Sequence, residues 1–270
     1  MVAAAETQTA EDESARLERR QRNRRRLVAI VSHLAALIFW EVAVRAFEVP
    51  RFILPAPSEI LATLPSPRYD WIGNSWVTAL EIGGGYLLAT VLGVLSALAF
   101  SWSRGLTMAL FPLLVTLNMI PKVALGPLVI VWFSYGISTN ILITFSLCYF
   151  PILLTTVRGL REVEPDLLDL VKSLRGSRLQ MFIYIQLPGA LPYIFSGMKV
   201  AAILAVAGAV VGEFIASDRG LGYLMIQVQA ALDTPAMFMA VTLITLIGIA
   251  LYMAVMAVEH MVLPKDARMS

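Results

Sequence analysis

Few side chains in this sequence could do chemistry, and their spacing narrows what that chemistry could be. Six charged residues, Glu41, Arg45, Glu81, Lys122, Lys199 and Glu213, lie within otherwise apolar runs. Inside a membrane such charges act as proton or ion relays or pair with one another, because an unpaired charge at mid-depth costs at least about 2.5–3.5 kcal/mol. Glu41 and Arg45, four residues apart, suit a pair on one helix face. Lys199 and Glu213 share a face to within about 40° but stand about 21 Å apart along it, so each needs its own partner. For Glu213 that partner is either a structural bond to a neighbouring helix or a gate in a solute pathway. An intramembrane enzyme would need a nucleophile with an acid–base partner or a metal cluster, and the runs contain no such set. The single cysteine, Cys148, excludes an intramolecular disulfide and a multi-cysteine metal site. His33 and His260 stand near opposite ends of the chain with no ligand motif around either. A Gly-x4-Gly-Lys-Ser/Thr phosphate loop is absent, so any ATP chemistry must come from another chain. A transporter subunit and an ion-coupled carrier or channel remain as functional classes.

The elements that must position these residues are membrane helices. The chain of 270 residues is 58% hydrophobic and 15% charged, with a mean hydropathy of +0.75, beyond the roughly half-apolar composition of soluble domains. Its apolar residues fall in blocks of about 20, enough for a helix to cross about 30 Å of hydrocarbon. Strict alternation over ten-residue segments is missing, which excludes a transmembrane barrel. The reading is an all-α membrane protein of about six transmembrane helices, at 27–47, 76–101, 105–134, 137–159, 191–216 and 235–263. Gly83, Gly84, Gly85 and Gly93 in the second span, and Gly208 and Gly212 in the fifth, predict close helix approach within one subunit. The third span holds Asn118, Pro121, Lys122 and Pro127, and its two prolines predict a kinked or broken helix. Transporters place such breaks beside aqueous pathways. Asn118, Pro121, Lys122, Lys199 and Glu213 are therefore the candidate pathway residues, with Glu213 toward the outer gate.

Residues 1–26 hold seven arginines, Arg16, Arg19, Arg20, Arg22, Arg24, Arg25 and Arg26, immediately before the first span. They predict a disordered basic tail that sets topology and touches anionic lipid, not nucleic acid. The long apolar stretch that follows, without a small-x-small cleavage site, predicts a retained first helix. The membrane domain then spans 27–263, with 264–270 as a short tail. If the N-terminus is cytoplasmic, inner segments collect 15 of the 21 Lys and Arg residues while outer loops hold only Arg51, Arg68 and Arg219. Both termini are accordingly placed in the cytoplasm.

The segment 160–190, inside on this topology, reads as a short amphipathic helix. Pro165 suits its first position, Glu162, Glu164 and Asp166 lie at its start, and Lys172, Arg175 and Arg178 toward its end, in accord with the helix dipole. Leu167, Leu170, Val171 and Leu174 form one face, and Gly176 is placed to terminate the helix.

From Glu164 to Arg178, and on through Ile185-Gln186-Leu187-Pro188, this segment resembles the EAA loop of ABC-importer permeases. That pattern is Glu-Ala-Ala, three residues, Gly, nine residues, Ile-x-Leu-Pro. Asp169 stands at its Glu, Leu170 and Val171 at its alanines, and Ile185, Leu187 and Pro188 are in register. Arg175 occupies the glycine position, with Gly176 one residue later. The resemblance runs from about residue 52 to the C-terminus through Leu54-Pro55-Ala56-Pro57-Ser58, Ile120-Pro121-Lys122, Gly126-Pro127-Leu128, Phe150-Pro151-Ile152, Glu213-Phe214 and Gly220-Leu221-Gly222-Tyr223. These stretches are similar to the nitrate, sulfonate and taurine branch, which includes permeases for riboflavin and for the pyrimidine precursor of thiamine.

The resemblance implies a type I importer (MetI-like) permease fold in a bacterial cytoplasmic membrane, present as a homodimer. It further implies two cytoplasmic ATPase subunits that carry ATP and Mg, an extracytoplasmic binding protein, and no cofactor on this chain. Glu164, Asp166, Asp169, Leu170, Val171, Leu174, Arg175, Gly176, Ile185, Leu187 and Pro188 would then form the coupling surface. The predicted topology has a direct test in a chain whose Cys148 is replaced. Cysteines introduced at Ser177 and Ser66 should react with an impermeant label from opposite sides, and labelling of position 177 from outside intact cells would overturn it.

Overall fold

The structure, a computed structural model, describes residues 24, 27–28, 30–163 and 165–263. The tails at 1–26 (Arg24 apart) and 264–270, and Glu164, lie outside the described residues. The chain divides after Leu64 into two compact units.

In the first unit, helix α1 covers 30–46. Arg45 Nε donates to Glu41 Oε1 at 2.6 Å, the i,i+4 pair that their spacing predicts. Ser58, in the first turn of the short helix α2 (Pro57–Leu61), completes the cluster. Its N–H and hydroxyl donate to the two Glu41 oxygens at 3.0 and 2.7 Å. The Pro-Ala-Pro-Ser run thus adds an amide and a hydroxyl to the Arg45 guanidinium as donors to the Glu41 carboxylate.

The second unit is helical throughout, with no strand among its described residues. Its elements are α3 (Trp71–Trp102), α4 (Arg104–Asn118), α5 (Gly126–Phe133), α6 (Ile137–Arg161), α7 (Pro165–Ser173), α8 (Arg178–Met181), α9 (Leu187–Ala216), α10 (Leu221–Ala230) and α11 (Thr234–Val262). Four stretches among the described residues are long and apolar enough to cross a membrane: Pro67–Trp102, Ile137–Arg161, Arg178–Ala216 and Thr234–Val262. The third expected span is broken. Its helix stops at Asn118 and resumes at Gly126 after a tight turn over Lys122–Leu125, because Pro121 lacks a helical donor and disfavours helical backbone at Ile120. The fifth span begins earlier than 191. Helix runs on from Arg178 through a widened turn at Phe182–Gln186 into α9. Pro188 has no N–H for the carbonyl four residues back, and the wider turn accommodates that loss without ending the helix.

Helix α6 packs chiefly against α3 on one side and α9 on the other. Lipid tails are as apolar as leucine, so helices associate here through close packing and not through exclusion of water. The core is accordingly built from small residues: Ala89, Ala97, Ala201, Ala205 and Ala209 are fully buried. Glycines of α3 and α9 both meet α6. A Cβ on Gly85 would lie 2.4 Å from Thr144 Cβ, one on Gly208 2.8 Å from Thr144 Cα, and one on Gly212 2.9 Å from Asn140 Oδ1. Of the glycines expected at close approaches, Gly84, Gly85, Gly93, Gly208 and Gly212 meet α6 within this chain, and Gly83 does not. Gly208→Ala should lower stability by about 1–3 kcal/mol, since backbone must move to admit the methyl group. Gly83→Ala, which meets nothing within 4 Å, should be neutral or slightly stabilising in the same thermal unfolding assay in detergent.

Candidate functional site

Helix α7 carries the exposed apolar residues Leu167 and Leu170, and Leu174, 74% accessible, follows in the turn at its end. Asp166 lies in its first turn and Asp169 on its exposed side, with Val171 half-buried. The helix is not ended by Gly176, as expected from sequence, but by Arg175, whose φ of +58° is left-handed. The Gly176 N–H then reaches back to the Val171 carbonyl at 2.8 Å and satisfies an otherwise orphaned acceptor. Arg175 thus takes the very backbone conformation that favours glycine, at the position where the EAA pattern has glycine. Gly176 is needed for space instead, since a Cβ there would meet Val171 Cγ1 at 2.4 Å. Further on, Ile185 and Leu187 are half-buried around the widened turn, and Pro188 sits exposed in the first turn of α9.

At the broken span, Lys122 folds back on the helix it follows. Its Nζ donates to the Asn118 carbonyl and, at 3.0 Å, to Asn118 Oδ1. This sets a cation at the carbonyl end of α4, where the helix dipole is negative. Asn118, exposed Pro121 and Lys122 are therefore brought together. Lys199 and Glu213 are engaged elsewhere. Lys199 of α9 pairs with buried Glu259 of α11 at 3.1 Å.

Glu213 is 1% accessible and holds the start of α10. Its Oε2 accepts from the Gly222 and Tyr223 amides, the latter at 3.3 Å, and its Oε1 accepts from the Thr78 hydroxyl at 2.5 Å. Thr78 in turn accepts the Leu221 amide at 2.9 Å, and Asn74 Oδ1 accepts the Gly220 amide at 2.8 Å. All four amides at this helix start, which have no partner within the helix, are thereby satisfied by side chains. The two glycines follow from the carboxylate. Gly220 has φ of +106°, and a Cβ there would lie 2.4 Å from Glu213 Cδ; one on Gly222 would lie 2.8 Å from Oε2. Behind this cluster, buried Glu81 accepts from Asn140 Nδ2 at 2.8 Å. The other end of α10 is tied as well, for Asp233 accepts from Arg68 Nη2 and from the Tyr69 hydroxyl, both at 2.6 Å.

Sequence reasoning missed Asn74, Thr78, Asn140, Asp233 and Glu259. The available signal was the spacing of Asn74, Thr78 and Glu81 at i, i+4 and i+7, one polar stripe on an apolar helix. Glu213→Ala should cost about 2–4 kcal/mol, since two buried amides lose their acceptor, and should speed hydrogen exchange at Gly222 and Tyr223. Glu213→Gln, which keeps one acceptor oxygen, should lose less. Unchanged exchange in the alanine variant would show that Glu213 does not hold α10.

Comparison with known proteins gives this arrangement its context. Residues 89–265 match the family described as the binding-protein-dependent transport system inner membrane component. A probable ABC transporter permease protein of Haemophilus influenzae is 36% identical over 219 residues, covering 81% of this chain and 89% of its own. The formylaminopyrimidine transport permease protein ThiX of Halalkalibacterium halodurans is 31% identical, covering 86% of this chain and 92% of its own. The riboflavin transport system permease protein RibX of Chloroflexus aurantiacus is 32% identical, covering 88% and 89% respectively. Among solved structures, a chain of the MetNI methionine ABC transporter in an inward facing conformation matches with a TM-score of 0.57 at 19% identity, over 72% of this chain and 98% of that one. The MetI-like fold expected from the resemblance is thus the fold observed. The chain belongs to the binding-protein-dependent transport system inner membrane component family, as a multi-pass permease component of an ABC importer for small solutes.

Proposed function

We propose that the chain works as one half of a permease homodimer, driven by two cytoplasmic ATPase subunits and supplied by an extracytoplasmic binding protein. ATP and Mg are held by the ATPase pair, and this chain contributes no cofactor and no catalysis. The observation that carries the reading is α7 and the turn that ends it: exposed Leu167, Leu170 and Leu174, in register with the EAA pattern, and a left-handed residue at the pattern's glycine. Apolar residues at helical spacing on an exposed helix suit insertion into a groove of a partner protein. Asp166, Asp169, Leu170, Val171, Leu174, Arg175 and Gly176 belong to that contact, with Glu164 before them and Ile185, Leu187 and Pro188 linking it to α9. Closure of the ATPase pair moves α7, and through the helical run into α9 it rocks the bundle between inward-open and outward-open states.

Both termini and α7 lie in the cytoplasm in this reading. The pathway passes the broken span at Asn118, Pro121 and Lys122, while Lys199 and Glu213, expected on it from sequence, act beside it by holding α11 and α10 to α9. The cargo is a small solute of the kind named for the relatives, a vitamin precursor such as riboflavin or a thiamine pyrimidine, or an anion such as a sulfonate or nitrate; taurine and nitrate import permeases of Escherichia coli and Synechococcus elongatus are also related, at 26% and 27% identity.

Two variants test the docking. Leu170→Asp and Leu174→Asp should assemble in the membrane as the parent does, because neither side chain is buried in the chain's own core. Each sets a charge in an apolar groove, so transport should be uncoupled from ATP hydrolysis. Normal vanadate-sensitive uptake by both variants would remove α7 from the coupling surface. Uptake by the parent chain without any ATPase would favour an ion-coupled carrier.

A further inference from the structure

A cavity of about 440 Å³ lies beside the broken span, between α3, α4 and α6. That volume falls within the range of small-molecule sites. Most of its wall is apolar, and its polar groups are few: Ser96, Asn118, Lys122, Ser146 and Tyr149, with the Phe145 ring beside them. Counting their hydrogens shows what is left over. Ser146 donates back to the Ile143 carbonyl at 2.7 Å and is spent. Tyr149 and Ser96 bond to each other at 3.0 Å, so this pair of hydroxyls has one proton left to give. Lys122 uses two of its three N–H groups on Asn118 and keeps the third. Among the described residues no carboxylate pairs with Lys122. The cavity therefore offers spare donors and one positive charge, in surroundings where an unpaired cation is costly. The Phe145 and Tyr149 rings stand 5.4 Å apart, tilted by 45°, and supply an aromatic wall.

We infer that this cavity is a subsite for a small organic anion, whose acid group meets Lys122 and the Tyr149–Ser96 hydroxyl pair while its apolar or planar body lies along Phe145 and Tyr149. A cation is repelled by Lys122, and a bare inorganic anion leaves the aromatic wall uncovered. The inference deepens the pathway reading proposed above and rests on it for its place in transport, but binding itself can be read on the permease alone.

The test uses the full-length chain in nanodiscs of phosphatidylcholine, with 2-naphthalenesulfonate as probe and the neutral 2-naphthalenesulfonamide as its matched control, followed by titration calorimetry. The parent chain should bind the sulfonate saturably and the sulfonamide about tenfold more weakly or worse, the scale set by one charge-assisted hydrogen bond. Lys122→Met should lose sulfonate binding to a similar degree, and Lys122→Arg should retain it. Ser146→Phe, which fills the cavity but leaves the cation in place, should abolish it, and this variant keeps the test decisive if Lys122→Met does not fold. Equal binding of sulfonate and sulfonamide, or undiminished binding in Lys122→Met or Ser146→Phe, would overturn the subsite. So would native mass spectrometry in which the parent chain, but not Lys122→Met, retains a phosphatidylglycerol that excludes the probe, since the anion would then be a lipid headgroup. Probe binding without ATP-driven import by the reconstituted complex would overturn the transport reading and leave the subsite standing; import without probe binding would do the reverse.

Discussion

One buried carboxylate organises the end of the bundle where α3, α9 and α10 meet. Taking Glu213 out of water is tolerable only if its oxygens find donors, because a buried unpaired charge costs several kcal/mol. The donors come mostly from backbone: amides at the start of α10 carry the positive end of its dipole, and the Thr78 hydroxyl adds a bond from α3. Carboxyl oxygens and helix-start amides satisfy each other's hydrogen bonding. This arrangement dictates two glycines, at 220 and 222, and the polar stripe of Asn74 and Thr78 on a helix that otherwise faces lipid or core.

The same part of the molecule shows how membrane helices differ from soluble ones in what they bury. Large apolar side chains such as Leu87, Leu95, Ile203 and Leu246 are exposed on α3, α9 and α11, while alanine, glycine and small polar residues fill the space between helices. With hydrocarbon as solvent, a leucine gains little by turning inward, whereas two backbones that approach closely gain dispersion contacts. Thr144 can therefore sit against glycines of both neighbouring helices, and Asn140 against Gly212 of α9.

Much of this was legible from apolar block length and from glycine and proline placement. The second, fourth and sixth expected spans lie within or close to α3, α6 and α11, because such runs have one low-energy state in lipid. The start of the fifth was misjudged because Pro188 and Pro192 look like helix punctuation, yet a widened turn absorbs the first and the helix continues. The end of α7 was placed one residue late, because glycine is the usual left-handed residue and an arginine in that conformation leaves no mark in composition. The partners of Glu213 and Lys199 were invisible for a different reason. Asn74, Thr78 and Glu259 come from distant parts of the chain, and one sequence does not reveal which helix faces meet.

The ties at the two ends of α10 bear on how this bundle can change shape. At one end a side chain from α9 closes a ring over residues 213–222; at the other, Asp233 is clasped by Arg68 and Tyr69 just ahead of α3. A strut fixed at both ends turns α3, α9 and α10 into a stiff frame, so the turn over 217–220 is a poor hinge despite its polarity. No comparable carboxylate strap crosses the step from Asn118 to Gly126 among the described residues. Compliance is thereby left to that joint and not to the frame.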